Sequence, residues 1–455
     1  MLKLQPLKAG IKLSVVLSLG WGISNCSVLE TAFEPFIPES SESTPQPTPS
    51  PQAKDYRTFS DWCSSRETLP LETQQTVNIL LQVAGVTDCK LAQKRLLEVT
   101  EIDLSRSKIS DLSPLITLPH LTRLNLSENK ITDVTPLSTL TNLTRLNLSS
   151  NLIQDLSPLA DLPNLEILLL YKNEIEDIQP LSNLSGLTEL SLDSNKIGDI
   201  TPLSELNNLT NLSLSENQIQ DLSVIANLEN LTQLSLNANK ISNITDLSEL
   251  TNLTKLNLKT NEIEEIGSLS NLSNLKELNL DSNKLTNISS LSSLTQLETL
   301  SLSENNITNI QPLSNLENLT TLQLRSNEIS DIKPLSSLSN LTEDLNLIDN
   351  KIGDIKPLSN LQDLTRLGLS KNEIVDVKPL SNLNELVILY LDENKITDVK
   401  PLASLTNLTE LNLWSNQIKT IESLSPLDNL TYLGLQENPI EKKQCPVQPK
   451  SICQF

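Results

Sequence analysis

The sequence predicts an α/β-type solenoid with one parallel sheet, short 3₁₀ or irregular turns on the opposite side, and a helical N-terminal cap. Three observations carry this expectation. A 22-residue unit recurs from Val99 to Asn438, leucine recurs inside it with the period of a strand, and only 2% of the 455 residues are aromatic. Several conventional cores cannot be built from so few aromatic residues, so leucine must do the packing.

At the N-terminus, Lys3, Lys8 and Lys12 precede a short apolar run from Leu13 to Ile23, which is broken by small residues. Such a run is too short to span a bilayer as a permanent helix and has the pattern of an export signal. It ends at Ile23-Ser24-Asn25-Cys26, which resembles a bacterial lipoprotein lipobox, with Asn25 where that motif has Gly or Ala. Acylation would make Cys26 the first residue of the mature chain and its membrane anchor; simple secretion and an uncleaved signal anchor are the alternatives. Residues 1–25 are therefore expected to be a signal and residues 26–56 a tether. Within the tether, PESSESTPQPTPSPQ (38–52) has too little apolar content to fold and favours extended polyproline II, at about 3 Å per residue.

Residues 57–98 are expected to form a cap. Thr76, Val77, Leu80, Leu81 and Ala84 have helical spacing and are stopped by Gly85; a second short helix begins at Thr87 or Asp88 and includes Cys89, Ala92, Leu96 and Leu97. Covering the first edge matters, because an open solenoid end exposes both leucines and unpaired strand groups. Cys63 and Cys89 flank the start of the array, and Cys445 and Cys453 follow its end in a second cap, 439–455. Two local disulfides then fit an oxidising compartment and leave Cys26 as the odd cysteine, which lipidation would account for.

Between the caps stand sixteen copies of the unit, as in LTRLNLSENKITDVTPLSTLTN beginning at Leu121. Leu-x-x-Leu-x-Leu alternates like a strand with one buried face, and a coil that returns every 22 residues must stack its strands in parallel. At about 4.8 Å per strand, sixteen extend roughly 75 Å. The ninth position is Asn in fifteen copies, from Asn129 to Asn438, with Ser107 in the first. Asn is donor and acceptor at once, so stacked copies can satisfy the backbone at the bend after each strand. Four residues later comes Asp or Asn, as at Asp133, Asp155, Asp177, Asp199 and Asp221, often before Pro-Leu-Ser: the side chain caps free amides of a tight turn that Pro can open. One carboxylate per coil does not make a calcium site, which needs roughly six to eight oxygens. The spacing slips once, in LTEDLNL from Leu341 to Leu347, where a strand bulge is expected near Glu343 and Asp344.

These motifs resemble the leucine-rich-repeat family, in the 22-residue class of bacterial internalins and of a phosphatase-regulatory subunit, over about three quarters of the chain. The resemblance implies an arc with strands on its concave side, and binding of proteins, sometimes glycans or peptides, through that side. It also implies an internalin-like cap, although no sorting motif, immunoglobulin-like module or cell-wall repeat follows the array.

The charge and the scarcity of reactive residues exclude several function classes. A formal net charge of -22 repels phosphate backbones and anionic headgroups, so nucleic acid is not an expected partner and the membrane is reached through a lipid anchor only. The single histidine, His120 in LPHL, stands at a surface position where sister repeats carry Asn. With no CxxC pair and no Gly-rich phosphate loop, neither enzyme, metal nor cofactor is expected. The Asn-Leu-Thr triplets match a glycosylation acceptor but read as by-products of the consensus TNLT, and the oligomeric state is not indicated.

Positions three, five, seven and eight of the unit point away from the leucines and are free to vary. All four aromatic residues of the array fall on them: Tyr171, Tyr390, Trp414 and Tyr432. Ile388 lies beside Tyr390 and Arg366 one coil earlier, while Ile167, Leu169 and Tyr171 form a second cluster. Aromatic residues and Arg make interface anchors, whereas cross-strand pairing or cover for a solenoid end is the bland alternative. The sequence thus predicts a surface-displayed, non-catalytic scaffold for a protein or glycan ligand. A structural envelope component is the rival, and an enzyme-regulatory subunit is disfavoured by the export signal and the cysteine pairs.

Overall fold

The computed structural model describes residues 56–455, so the expected signal, Cys26 and the tether through residue 55 lie outside the described residues. The cap contains three helices rather than two: α1 (Phe59–Ser64), α2 (Leu71–Ala84) and α3 (Cys89–Leu96). The extra helix α1 is short and starts in a reciprocal cap, with the Thr58 hydroxyl accepting from the Asp61 amide and the Asp61 carboxylate accepting from the Thr58 amide. Gly85 ends α2 at φ 65°, a left-handed conformation that a side chain would strain. The Cys63–Cys89 disulfide ties α1 to α3. Tyr56, placed in the tether from sequence, stacks on Trp62 with ring centroids 4.2 Å apart.

Polar contacts seat this cap on the first coil. Thr76 Oγ1 donates to the Asp111 carbonyl (2.6 Å), Thr73 to the Asp111 carboxylate, and Gln75 Nε2 to the Ser107 carbonyl (3.0 Å). His120 is part of this seam and not a free surface residue: its Nε2 lies 3.1 Å from the Leu96 carbonyl and 2.9 Å from that of Val99. The ring therefore does for the cap junction what the Asn of the sister repeats does between coils.

From β1 (Glu101–Asp103) and β2 (Arg123–Asn125) to β16 (Tyr432–Gly434), every coil contributes one three-residue strand to a single parallel sheet. Equivalent positions pair throughout, as Arg123 with Arg145 and Leu124 with Leu146. The C-terminal cap adds a strand that the sequence did not announce, β17 (Cys453–Gln454), which pairs with β16 and is anchored by the Cys445–Cys453 disulfide. Between successive strands of the array runs a 3₁₀ turn of three to five residues. In a typical coil Leu275, Leu278, Leu280, Leu285, Ile288, Leu291 and Leu294 are all buried, and the same seven positions continue from coil to coil as one core. No single unit encloses its own leucines, which is why the array folds as a unit.

Three polar ladders recur along the array, and the first and third join neighbouring coils. Asn151 Nδ2 donates to the carbonyls of Leu126 (3.0 Å) and Leu148 (2.9 Å), while its Oδ1 accepts from the Ile131 amide (3.0 Å), and this pattern recurs along the array. At the thirteenth position the Asp133 carboxylate accepts from the Thr135 amide (2.8 Å) and Asp398 from that of Lys400 (2.9 Å), an Asx turn one residue ahead of the helical N-cap. The third ladder is the Asn of the Asn-Leu-Thr triplets: Asn142 Nδ2 donates to the Pro119 carbonyl and Asn252 to that of Glu229, each reaching back one coil. The consensus Asn of these triplets therefore has a structural role.

The extra residue near Glu343 does not bulge the strand ladder as expected. β12 (Asp344–Asn346) pairs in unbroken register with β11 (Thr321–Gln323) and β13 (Arg366–Gly368), and both Leu341 and Leu345 are buried. The insertion is absorbed at Thr342 and Glu343, just ahead of the strand, where the Thr365 amide turns to the Thr342 carbonyl and its hydroxyl to that of Glu343. Deleting Glu343 is therefore expected to leave the melting temperature within a few degrees of the parent, because no core side chain and no ladder pair is lost; a calorimetric drop of more than about 2 kcal/mol would show that the insertion is itself part of the packing.

Candidate functional site

The variable face of the sheet is built by a repeated backbone turn. After each strand the eighth residue of every coil, from Arg106 to Glu437, has φ between 51° and 60°, and none of them is glycine. This left-handed residue reverses the chain so that the following Asn points inward, leaving positions three, five, seven and eight facing outward. Along this face, charge is arranged in rungs. Among the described residues, eleven of the twelve ion pairs join equivalent positions of neighbouring coils, and six of these stand at positions three, seven or eight, including Arg123–Glu101 (2.9 Å), Lys255–Glu277 (2.7 Å) and Lys371–Glu393 (3.6 Å). Exposed pairs of this kind contribute little individually, so they set register more than stability.

At the C-terminal end the rungs give way to aromatic residues. β14 (Ile388–Tyr390), β15 (Glu410–Asn412) and β16 place Ile388, Glu410 and Tyr432 in one row and Tyr390, Asn412 and Gly434 in the next. Tyr390 reaches diagonally to donate its hydroxyl to Glu410 Oε2 (2.7 Å). Tyr432 leans along its own strand over Gly434, where an added Cβ would lie 2.9 Å from the Tyr432 hydroxyl and collide with Asn412. Trp414 follows β15, its amide donating to Asn412 Oδ1 (3.3 Å). The three rings are half-buried, with no ring-on-ring stack between them among the described residues. Asp392 completes the cluster, its Oδ1 accepting from Ser370 Oγ (2.5 Å) and Asn412 Nδ2 (2.8 Å).

The electrostatics of this patch follow from its burial and its acids. Burial first, then the hydrogen bond to Glu410 and the charges of Glu410 and Asp392, push the Tyr390 phenol up to about 12; burial and the same two acids raise Tyr432 as well. A phenol whose folded pKa exceeds its unfolded value of 10.0 stabilises the fold fully below pH 10, and loses that contribution as pH rises through about 12. In a spectrophotometric tyrosinate titration, Glu410→Gln is expected to bring the Tyr390 step down toward its ordinary value while leaving the burial effect in place. An unmoved step would mean that Glu410 does not act on the ring.

Two residues paired with the aromatic patch from sequence lie beside it. Arg366 makes an ion pair with Asp344 on the preceding strand (3.6 Å); burial pushes the Asp344 carboxyl up and the Arg366 charge counters it. Ile388 lies in the Glu410 row and is half-buried. Sequence reasoning missed Glu410 and Asp392, although the 22-residue period sets Glu410 beside the Tyr390 strand.

The second cluster is arranged differently. β4 (Ile167–Leu169) holds Ile167 and Leu169 half-buried and is followed by Tyr171, which is 43% exposed. Ile167 borders a hollow of about 630 Å³ over the first four strands, together with Glu101, Arg123, Arg145 and Glu166; Leu169 and Tyr171 do not line it. The N-terminal three are thus a strip beside a charged hollow, not a closed pocket. Among the described residues no group of three or more His, Cys, Asp or Glu could hold a metal ion, and no helix is long and apolar enough to cross a membrane.

Family models described as leucine-rich repeats match residues 97–205, 207–249, 251–337 and 384–440. Comparison with curated proteins gives no significant match. Among solved structures the chain is similar to the internalin inlF of Listeria monocytogenes, at 31% identity over 81% of this chain and 98% of that one, with a TM-score of 0.56. A leucine-rich-repeat protein of Leptospira interrogans matches at 30% identity over 77% and 93% of the two chains, with a TM-score of 0.72. The functional domain of InlJ from Listeria monocytogenes, described as including a cysteine ladder, matches at 26% identity over 84% and 81%, with a TM-score of 0.69; the repeats of this chain carry no cysteine. Repeat models over more than half its length, and bacterial relatives of about a third identity over nearly their whole length, place this chain in the leucine-rich-repeat family, among its internalin-like members.

Proposed function

We propose that the chain is a surface-displayed, non-catalytic scaffold that captures a protein ligand on the outward face of its sheet, with Tyr390, Trp414 and Tyr432 as the principal anchors. The observation that supports this reading is the gathering of three half-buried rings on three successive coils, on a face whose centre is mostly Ser, Thr, Asn and charged residues. Rings in that state have apolar area left to bury and are already oriented, which is what an interface anchor needs. Ile167, Leu169 and Tyr171 are a secondary contact strip, and the disulfide-tied caps hold the ends of the array for use outside the cell. Display would come from acylation at Cys26 and the Pro-rich spacer. A glycan ligand is the second reading, favoured by the Ser- and Asn-rich centre of the face.

Capture from native surroundings by the purified ectodomain tests the proposal, with alanine triples at each cluster as controls. Loss of the captured protein with the C-terminal triple alone supports it. Equal capture by the parent and both triples overturns it in favour of a structural envelope role. Mass spectrometry of the membrane fraction tests display separately: the mature chain should begin at an acylated Cys26, and an unmodified start elsewhere would refute the anchor.

A further inference from the structure

At the third position of the outward face Glu101 has Arg123, Glu277 has Lys255 and Asp344 has Arg366 one coil away. Glu189, between Ile167 and Asn211, has no such base, and neither has Glu410. Its register neighbours are Ile388 and Tyr432, so neither adjacent coil supplies a cation at that row. Glu410 Oε2 accepts from Tyr390, and Asp392 Oδ1 accepts from Ser370 and Asn412. Among the described residues the second oxygen of each carboxylate has no hydrogen-bond partner, and no Lys or Arg pairs with either group. Both side chains are half-buried, where an uncompensated charge costs more than it would in open solvent.

We infer that the patch formed by Tyr390, Trp414, Tyr432, Glu410 and Asp392 is a docking site for a basic segment of a partner protein, whose Lys or Arg heads meet the two carboxylates and whose cations lie against the rings. This inference rests on the outward-face reading above and names the chemistry of its partner. Three physical arguments select a basic occupant. A cation over an aromatic face is attracted by the ring quadrupole, and the nearby carboxylates reinforce it. An acidic segment would meet like charge at the two oxygens left open. The net charge of -22 draws a basic segment in at long range, and the rings beside the two open carboxylates then fix where it stops.

The full chain is titrated by calorimetry, at physiological salt, with a ten-residue peptide amide of alternating Arg and Ser, and with its Glu-for-Arg counterpart. The indole signal of Trp414 is followed in parallel by NMR. The basic peptide is expected to bind and shift that signal, and the acidic one to do neither. Glu410→Gln with Asp392→Asn, which keeps the hydrogen-bonding shapes, is expected to weaken binding about tenfold, and Glu410→Gln alone about threefold. Glu304→Gln, five coils before Glu410, should leave it unchanged. Undiminished binding to both carboxylate variants, or binding that leaves Trp414 unmoved, would mean that the peptide samples the acidic surface at large and overturns the inference. So would a neutral oligosaccharide that shifts Trp414 where the peptide does not, or self-association that the double variant abolishes. If the aromatic triple loses a captured protein that the carboxylate double retains in full, the basic partner is wrong and the outward-face reading stands.

Discussion

Asn283→Ala is expected to cost about 2–4 kcal/mol and to uncouple the two halves of the array. Asn283 sits in the ninth of sixteen coils, buried, with Nδ2 donating to the carbonyls of Leu258 (3.0 Å) and Leu280 (3.1 Å) and Oδ1 accepting from the Ile263 amide (3.1 Å). The carbonyls are not orphaned by the substitution: Leu258 still accepts from Asn261, and Leu280 from Asn305. The Ile263 amide has no such substitute, and a buried unpaired N–H carries most of the penalty. Because each coil touches only its neighbours, the defect should appear in hydrogen exchange as faster opening around Ile263 and as a broadened unfolding transition, while the caps stay protected. Asn283→Asp adds a sign test. It keeps the acceptor for Ile263 but turns a carboxylate toward two carbonyls, which raises its folded pKa above the unfolded one. Such a group favours the fold below its unfolded pKa and ceases to as pH rises, so this variant should be more stable relative to parent at pH 4 than at pH 7. Uniform behaviour of both variants across pH would show that the ladder is packing and not hydrogen bonding.

What the sequence revealed of this architecture was whatever repeats. A 22-residue period fixes which side chains face inward, and a ladder such as Asn129 to Asn438 follows, because the same donor and acceptor return at each coil. Where a feature occurs once, the period is silent. The helix α1 rests on one capping box around Thr58 and Asp61, β17 on a disulfide-tied segment with no counterpart in the array, and the slip at Glu343 on a choice between strand and connection that alternation alone does not settle. The candidate site was legible to the same degree. The rings are visible as departures from the consensus at outward positions, but the Tyr390 contact runs from the fifth position of one coil to the third of the next, and Arg366 is committed to Asp344. A pattern read within single units shows the outliers and misses the contacts between coils that decide their chemistry.

Replacing Tyr390, Trp414 and Tyr432 together by Ala is expected to abolish ligand capture while changing stability little. All three rings stand outside the leucine core, since Leu389, Leu411, Leu413 and Leu433 remain fully buried beneath them, and their removal opens no cavity. The main internal losses are the Tyr390 to Glu410 hydrogen bond and the cover that Tyr432 gives Gly434, together about 1 kcal/mol. At an interface each ring can supply on the order of 2 kcal/mol as an anchor, and two such losses already weaken binding about a thousandfold. Arg366→Ala should act less, and by another route: it strips Asp344 of its cation, so its effect should be largest where that carboxylate is ionised and should follow stability as much as affinity. Ile167, Leu169 and Tyr171 provide the internal comparison: the register neighbours of Ile167 are Arg145 and Glu189, and among the described residues no acid is hydrogen-bonded to the Tyr171 ring as Glu410 is to Tyr390. Capture that survives the C-terminal triple and fails with the N-terminal one would move the site to the hollow over the first four strands; capture that fails only with the C-terminal triple fixes it on the last three coils.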